Sequence, residues 1–418
     1  MEQIGGGKQR INAHVPQGEV ARGLAEDRKD PNILYLGTET GLWVSWNKGA
    51  QWTRIKANLP TMPIYEIKQH PRDNDLILAS HARGIWILDD PTPIQEWGKS
   101  DTDSYFFNTE PATIMNQAND QMKGFEGDRL FLGQNPAPGA TLAYRLKADA
   151  KDVKITIKDS SGSTVRELSG DATKDRNKAG LNIVKWDLRV QPLRPLPPPP
   201  GAPAGGGQGG GGGGGGFGGG GNNGPYVLPA TYKATLNVNG RDAQTIDLTV
   251  KGDPEITISD ADRRMWFDTA RELHQLQAKA NDVAEMVQNA FAQVQILQQQ
   301  TRNANLSGSA KQELDNVVKE FEAVRRRLGL GQQGGGGGGG FGGGNENLRG
   351  RFGQIKGQIM ASTATPTNTQ MMQVREIRAA LPGLIDQANA VVAKVPGLVK
   401  DLLGNGAIFP AIKPVPKG

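Results

Sequence analysis

A β-first, α-last multidomain architecture is what this sequence predicts, and three observations carry it. Residues Ile33-Leu-Tyr-Leu-Gly-Thr-Glu-Thr-Gly-Leu-Trp-Val-Ser45 recur 43 residues later as Leu76-Ile-Leu-Ala-Ser-His-Ala-Arg-Gly-Ile-Trp-Ile-Leu88. Alternating apolar runs, the period of a half-buried strand, then appear across 127–252. At Asp253-Pro254 the spacing switches to three and four, the period of a helix.

The repeat comes first in the chain. Gly41 falls on Gly84, Trp43 on Trp86 and Leu34 on Ile77. A period in the forties built from short β-rich runs is that of propeller blades, each about 40–45 residues of four-stranded sheet. Residues 1–97 are therefore expected to be the last two blades of a partial β-propeller. Two blades cannot close a ring of roughly four to eight, so the chain reads as a fragment, the C-terminal part of a longer protein. Pro91-Thr-Pro93 ends the strand pattern and opens a connector over 98–126.

Residues 127–252 read as a β-sandwich of immunoglobulin-like size. Its strands are Thr141-Leu-Ala-Tyr-Arg-Leu146, Val153-Lys-Ile-Thr-Ile157, Leu181-Asn-Ile-Val-Lys-Trp186, Tyr232-Lys-Ala-Thr-Leu-Asn-Val238 and Gln244-Thr-Ile-Asp-Leu-Thr-Val250. Asp159-Ser-Ser-Gly162 and Asn239-Gly240 supply the turns, the latter a type I′ hairpin cue. Pro195-Leu-Pro-Pro-Pro-Pro200 and the glycine tract 205–221 interrupt it. Neither composition buries enough apolar surface to offset the entropy of ordering, so 192–224 reads as a disordered excursion. A phosphate-cradling loop is the sharper alternative, but no Gly-rich stretch is followed by Lys-Ser or Lys-Thr.

Residues 253–410 read as an antiparallel helical bundle. Its first seam runs Leu273, Leu276, Ala280, Val283, Val287, Ala290, Val294 and Leu297. The second runs from Ala310 to Leu328, the third from Leu348 to Ile359, and the fourth from Val374 to Leu402. The glycine-rich linker 331–344 joins the second to the third. Pro382 and Pro396 are expected to bend or break the last helix.

Bulk properties narrow the function classes. The chain has 418 residues, 57 of them Gly, a net charge of +5 and no Cys. Without Cys there is neither a disulfide framework nor a cysteine zinc site. No apolar run approaches the roughly 18–20 residues of a membrane span. Arg325-Arg326-Arg327 is the only tight basic cluster. It closes a helical segment, where cations favour the negative end of the dipole, and is read that way rather than as a nucleic-acid patch.

The segment Ser45-Trp-Asn-Lys-Gly-Ala-Gln-Trp52 lies where two strands of a blade must turn. Asn47 is placed to bond turn amides, Gly49 tolerates positive φ, and Trp52 anchors the returning strand. This stretch resembles the Asp-box, or bacterial neuraminidase repeat, with pattern Ser-x-Asp-x-Gly-x-x-Trp, here with Asn in the Asp position. In families that carry it the box is a structural turn. Residues 31–97, with Leu59-Pro60, His81-Ala-Arg-Gly-Ile-Trp-Ile-Leu-Asp-Asp90 and Thr92-Pro93, look like the closing blades of bacterial sortilin-like or "glycosyl hydrolase" propeller proteins. In that family an Ig-like module, similar to that of flagellar hook-capping proteins, and a helical tail follow. Asn135-Pro-Ala-Pro-Gly-Ala140, Ile157-Lys-Asp-Ser-Ser-Gly162, Val184-Lys-Trp-Asp-Leu-Arg189 and Leu228-Pro-Ala-Thr-Tyr232 match the module. Ala230 replaces the glycine of a family-type Pro-Gly-Thr-Tyr, and Pro366-Thr367 fits the tail.

The resemblance implies an exported protein, extracellular or periplasmic, whose C-terminal region binds a protein or glycan without catalysing a reaction. The alternative is the C-terminal part of a sialidase-like glycoside hydrolase with its catalytic residues in upstream blades. Glycosidases commonly set two carboxyl groups about 5–10 Å apart across the bond. Asp89 and Asp90 are adjacent and diverge on a strand, so they read as a blade-ending turn. No catalytic, cofactor or metal residue is assigned. His81 and Arg83 are candidates for the mouth of an intact propeller, against a plainer reading as satisfied turn residues. His274 sits beside Leu273 and Leu276 without a second ligand to make a metal site. Self-association through the apolar seams of the tail is a third reading.

Overall fold

A computed structural model describes residues 15, 18–56, 58–99, 101–115, 138–197, 221–302, 307–330, 347–403, 410 and 412–416. The glycine tracts, apart from Gly221, and the connector beyond 115 lie outside the described residues. Strands precede the long helices, as expected. The chain divides into two compact units. Unit one takes 1–113, 138–187 and 230–251; unit two takes 114–137, 188–229 and 252–418.

Unit one opens with two antiparallel sheets. The first has β1 (Ala21–Glu26), β2 (Leu34–Thr38), β3 (Leu42–Ser45) and β4 (Thr53–Ile55) in that order. The second has β5 (Ile64–Gln69), β6 (Leu76–Ser80) and β7 (Ile85–Leu88), followed by the short helix α1 (Thr92–Gln95). Tyr35, Leu42 and Val44 of the first sheet share a core with Ile64, Ile67, Leu76 and Leu78 of the second. Gly23 and Gly37 permit the approach. A Cβ on Gly23 would stand 2.7 Å from the Tyr65 carbonyl oxygen, and one on Gly37 would meet the Ile64 carbonyl.

The sequence repeat is real, but its two halves differ by one residue. Trp43 pairs with Leu36, whereas Trp86 pairs with Leu78. The structural counterpart of Leu34 is therefore Leu76, not Ile77, because the turn after β6 is one residue longer than the turn after β2. Faces on β3 and β7 still correspond. Leu42 and Val44 are 0% exposed beneath the second sheet, while their counterparts Ile85 and Ile87 are 71% and 59% exposed.

The rest of unit one is a pair of antiparallel sheets. One has the order β13 (Gly180–Trp186), β10 (Ala140–Leu146), β8 (Ser104–Phe106). The other runs β12 (Thr164–Leu168), β11 (Val153–Lys158), β14 (Ala230–Val238), β15 (Arg241–Gly252), β9 (Ala112–Ile114). All five strands expected in this region are present. The stretch read as a connector supplies two more, β8 and β9, each three residues long and too short for a periodic signal. At the β14–β15 turn, Asn239 and Gly240 have φ of 52° and 81°, the conformation that Asn-Gly predicts.

Unit two holds α2 (Asp260–Thr301), α3 (Gly308–Arg327), α4 (Leu348–Met360) and α5 (Asn368–Leu403). Ser259 caps α2 by accepting from the Asp262 amide at 3.1 Å. Thr367 and Gln370 form a reciprocal capping box at the start of α5, with bonds of 2.8 and 3.2 Å. One apolar core joins the four helices, with Trp266, Phe321 and Phe352 fully enclosed. Helix α5 is assigned without a break through Pro382 and Pro396. Each proline costs roughly 3 kcal/mol in a helix interior. Burial of Leu381, Leu384, Ile385, Val395, Leu398 and Val399 around them offsets that cost.

Two substitutions check which sheet faces are covered. Gly37→Ala should destabilise unit one by about 1–3 kcal/mol, because the added methyl meets the β5 backbone. Ile87→Ala should stay within about 0.5 kcal/mol. Urea unfolding followed by tryptophan fluorescence reads both, and equal losses would contradict this packing.

Candidate functional site

The turn around Asn47 is built as its residue types require. Ser45 Oγ donates to Asn47 Oδ1 at 3.0 Å and accepts from the Gly49 amide at 2.8 Å. Asn47 Oδ1 also accepts from the Gln51 amide at 2.8 Å. Lys48 and Gly49 take positive φ of 55° and 86°, which a glycine at the second position tolerates without strain. Trp52 buries its indole N–H without a partner among the described residues. The side chains of this turn bond one another and the turn's own amides.

His81 and Arg83 occupy the longer turn between β6 and β7. With Thr61, Met62, Pro63 and Trp86 they line an open depression of about 480 Å3. The His81 ring lies 5.5 Å from that of Tyr65, and Trp86 Nε1 donates to the Arg83 carbonyl at 3.0 Å. Asp90 Oδ1 accepts from the Thr92 amide at 3.1 Å, the bond of a turn residue. At the end of α3, Arg325 stacks 4.1 Å over the Phe291 ring and donates to the Leu330 carbonyl at 2.8 Å.

Sequence reasoning missed a larger polar cleft in unit one, of about 780 Å3. Lys29, Arg72 and Lys251 line it together with Asp30, Asp73 and Glu110. Burial holds the Glu110 carboxyl above its ordinary range, and the charges of Asp90, Asp75 and Asp73 act in the same direction. Gln95, also on the wall, reaches into a buried network. Its Nε2 donates to Asp27 Oδ2 at 2.7 Å and to Asn74 Oδ1 at 3.1 Å, and Tyr35 donates to Asp27 Oδ2 at 2.8 Å. The Lys29 and Asp30 amides complete the Asp27 carboxylate at 2.8 and 3.0 Å. These residues come from turns far apart in the chain, so no local motif announces them.

Unit two contains a second cluster that the sequence hid. Lys356 on α4 is only 2% exposed. Its Nζ donates to Gln277 Oε1 at 2.8 Å, to the Gly221 carbonyl at 3.1 Å and to His274 Nδ1 at 3.1 Å. His274 Nε2 faces the Gln191 carbonyl at 2.9 Å and must donate to it. The imidazole is therefore neutral, with its proton on Nε2 and Nδ1 left to accept. Three acceptors around one nitrogen suit the charged ammonium. Burial, aided by the nearby charge of Arg189, opposes that charge and brings the Lys356 pKa down to about 7. Burial and the Lys356 charge lower His274 to about 4. The expectation that His274 is no metal ligand rested on a missing second ligand; its ring nitrogens are engaged by Gln191 and Lys356.

Among the described residues no group of three or more His, Asp or Glu is arranged to hold a metal ion. Among them, too, no helix is long and apolar enough to cross a membrane. No protein-family model matches the chain, and no curated protein matches it.

The histidine makes unit two sensitive to acid. Its pKa falls from 6.5 unfolded to about 4 folded. Between those values the unfolded chain binds the extra proton, so stability present above pH 6.5 is lost as pH drops toward 4. The loss attributable to this group is on the order of 3 kcal/mol. His274→Gln, which keeps a donor for the Gln191 carbonyl, should flatten that part of the slope. Denaturant unfolding followed by helical circular dichroism at pH 4, 5 and 6.5 measures it; parallel slopes for both proteins would refute the assignment.

Proposed function

We propose that this chain is a non-catalytic binding or scaffolding region of an exported bacterial protein of the Asp-box propeller type. On this reading β1–β4 and β5–β7 are consecutive blades, β8–β15 form the Ig-like module, and α2–α5 are the helical tail. The single observation that carries it is the repeated sheet. Trp43 and Trp86 occupy matching positions on β3 and β7, and one sheet covers the face of the other that holds Leu42 and Val44. The Ser45–Asn47–Gly49 turn, closed by its own side chains, is further support.

The ligand surface on this reading is the cleft of unit one. It offers cations, carboxylates and side-chain amides together, the mixture that a protein segment or a glycan can match with hydrogen bonds. The carboxylates there serve recognition. Burial and the neighbouring carboxylates disfavour the Glu110 charge, which a cationic or donor-rich ligand group would restore.

Binding of the full chain to an array of glycans and peptides tests the proposal. A saturable ligand is expected, with affinity reduced about tenfold, near 1.4 kcal/mol, by Lys29→Ala or Glu110→Ala. Aryl glycosides and sialosides should show no turnover above background. Turnover that vanishes in Asp89→Ala or Asp90→Ala would sink the reading, as would ligand binding indifferent to both cleft substitutions.

A further inference from the structure

The segment expected to be a disordered excursion from residue 192 onward is docked, over its described length, on the helices of unit two. Residues 188–193 and 222–227 pair as a short ribbon. Val190 donates to the Pro225 carbonyl at 2.9 Å and Leu193 to that of Asn222 at 2.8 Å. The proline-rich strand Gln191-Pro-Leu-Arg-Pro-Leu-Pro197 then follows α2. His274 holds the Gln191 carbonyl at 2.9 Å, Glu285 pairs with Arg194 at 3.3 Å, and Gln288 Nε2 donates to the Pro197 carbonyl at 2.9 Å. Leu196 packs into the helical core.

Two rulers agree here. A polyproline II strand rises ~3.1 Å per residue, so the six steps from Gln191 to Pro197 cover about 19 Å. An α-helix rises ~1.5 Å per residue, so the fourteen steps from His274 to Gln288 cover about 21 Å. A strand in the extended proline-rich form meets both donors without being stretched or compressed.

The chemistry matches as well as the length. Proline has no N–H, so a proline-rich strand presents mostly carbonyl acceptors. The α2 face answers with donors from His274 and Gln288, while Gln277 donates to the Gly221 carbonyl beside the ribbon. Asn281, midway along, is buried with its own acceptor oxygen unpartnered among the described residues, as expected opposite a strand poor in N–H groups. The same mode recurs in unit two on a second strand. Gln293 Nε2 donates to the Pro410 carbonyl and Asn389 Nδ2 to that of Val415, each at 2.9 Å, while Ile412 and Val415 pack on the core.

We propose that the His274–Gln288 face of α2 is a binding site for an extended proline-rich peptide, with Gln191–Pro197 as its resident ligand. The site reads main-chain carbonyls at helix-matched spacing and packs one apolar side chain, that of Leu196, against the core. It lies in unit two and stands independently of the function proposed for unit one.

The test empties the site in the full-length chain by replacing Gln191-Pro-Leu-Arg-Pro-Leu-Pro197 with a Gly-Ser segment of the same length. A labelled peptide of residues 190–200 is then titrated and followed by fluorescence anisotropy. The emptied chain should bind it saturably and at least tenfold more tightly than wild type, whose site is filled. Adding Gln288→Leu should weaken binding about fivefold or more, and a peptide with its prolines changed to alanine should bind markedly less. An emptied chain that keeps its helical circular dichroism yet binds no better than wild type would overturn the proposal, as would indifference to Gln288→Leu. Should the emptied chain lose its helices, hydrogen exchange decides with Gln288→Leu alone in the otherwise native chain. The amides of Leu193, Arg194 and Leu196 should then exchange several-fold faster, and unchanged exchange would refute the docking.

Discussion

Every buried carbonyl and amide must find a partner, and the two units of this chain solve that constraint in opposite ways. In unit one the backbone pairs with itself, strand against strand, and side chains are left to fill the space between sheets. In unit two the segments 188–197 and 221–227 make only a short ribbon of main-chain bonds, because their prolines have no N–H to extend it. Their carbonyls are met by side chains: an imidazole, an ammonium and the amides of glutamine and asparagine. The polar residues inside the helical core follow from this need. His274, Gln277 and Lys356 interrupt an otherwise apolar interior because Gln191 and Gly221 bring carbonyls there.

Both units also bury an ionisable side chain and satisfy it by hydrogen bonds. Asp27 takes donors from Tyr35, Gln95 and two backbone amides. Lys356 gives its three protons to neutral acceptors. Ionised groups taken out of water lose several kcal/mol of solvation, and hydrogen bonds to the charge recover part of it. Around Lys356 the nearest charges are of its own sign or neutral: Arg189 on the ribbon and the unprotonated His274 on α2. The lysine is therefore left poised near neutrality.

Much of the fold was legible in the sequence, for reasons of periodicity. The four long helices showed because their apolar spacing persists over many turns, and Ser259 and Thr367 stand at cap positions of α2 and α5. The five strands of the second β region showed because they alternate cleanly and end in Asx or Asn-Gly turns. Strands β8 and β9 did not, since three residues carry no period, and β12 did not, since Thr-Val-Arg-Glu-Leu alternates weakly. Composition misled at Gln191–Pro197. Low apolar content argues against a core of its own, but this strand borrows a core from α2. The clusters around Asp27 and Lys356 were illegible for a different reason. Each joins a local group to a distant one, Asp27 to Gln95 68 residues on and His274 to Lys356 82 residues on, so only the fold brings them together.

The unequal turns of the two repeated hairpins show which part of the repeat the packing constrains. One extra residue after β6 shifts that strand's register against β7 by one position. If each strand kept its sequence alignment, the shift would turn the apolar face of one strand outward. Instead the faces hold on both strands, and the correspondence between the hairpins moves: Leu34 and Leu36 answer to Leu76 and Leu78. Trp43 and Trp86 stay on one face, and Leu42 and Val44 match Ile85 and Ile87 on the other. What the repeat preserves is therefore the side of the sheet on which each apolar residue stands, while the turn length is free to vary. Ile85 and Ile87 keep the apolar character of their counterparts although solvent reaches them.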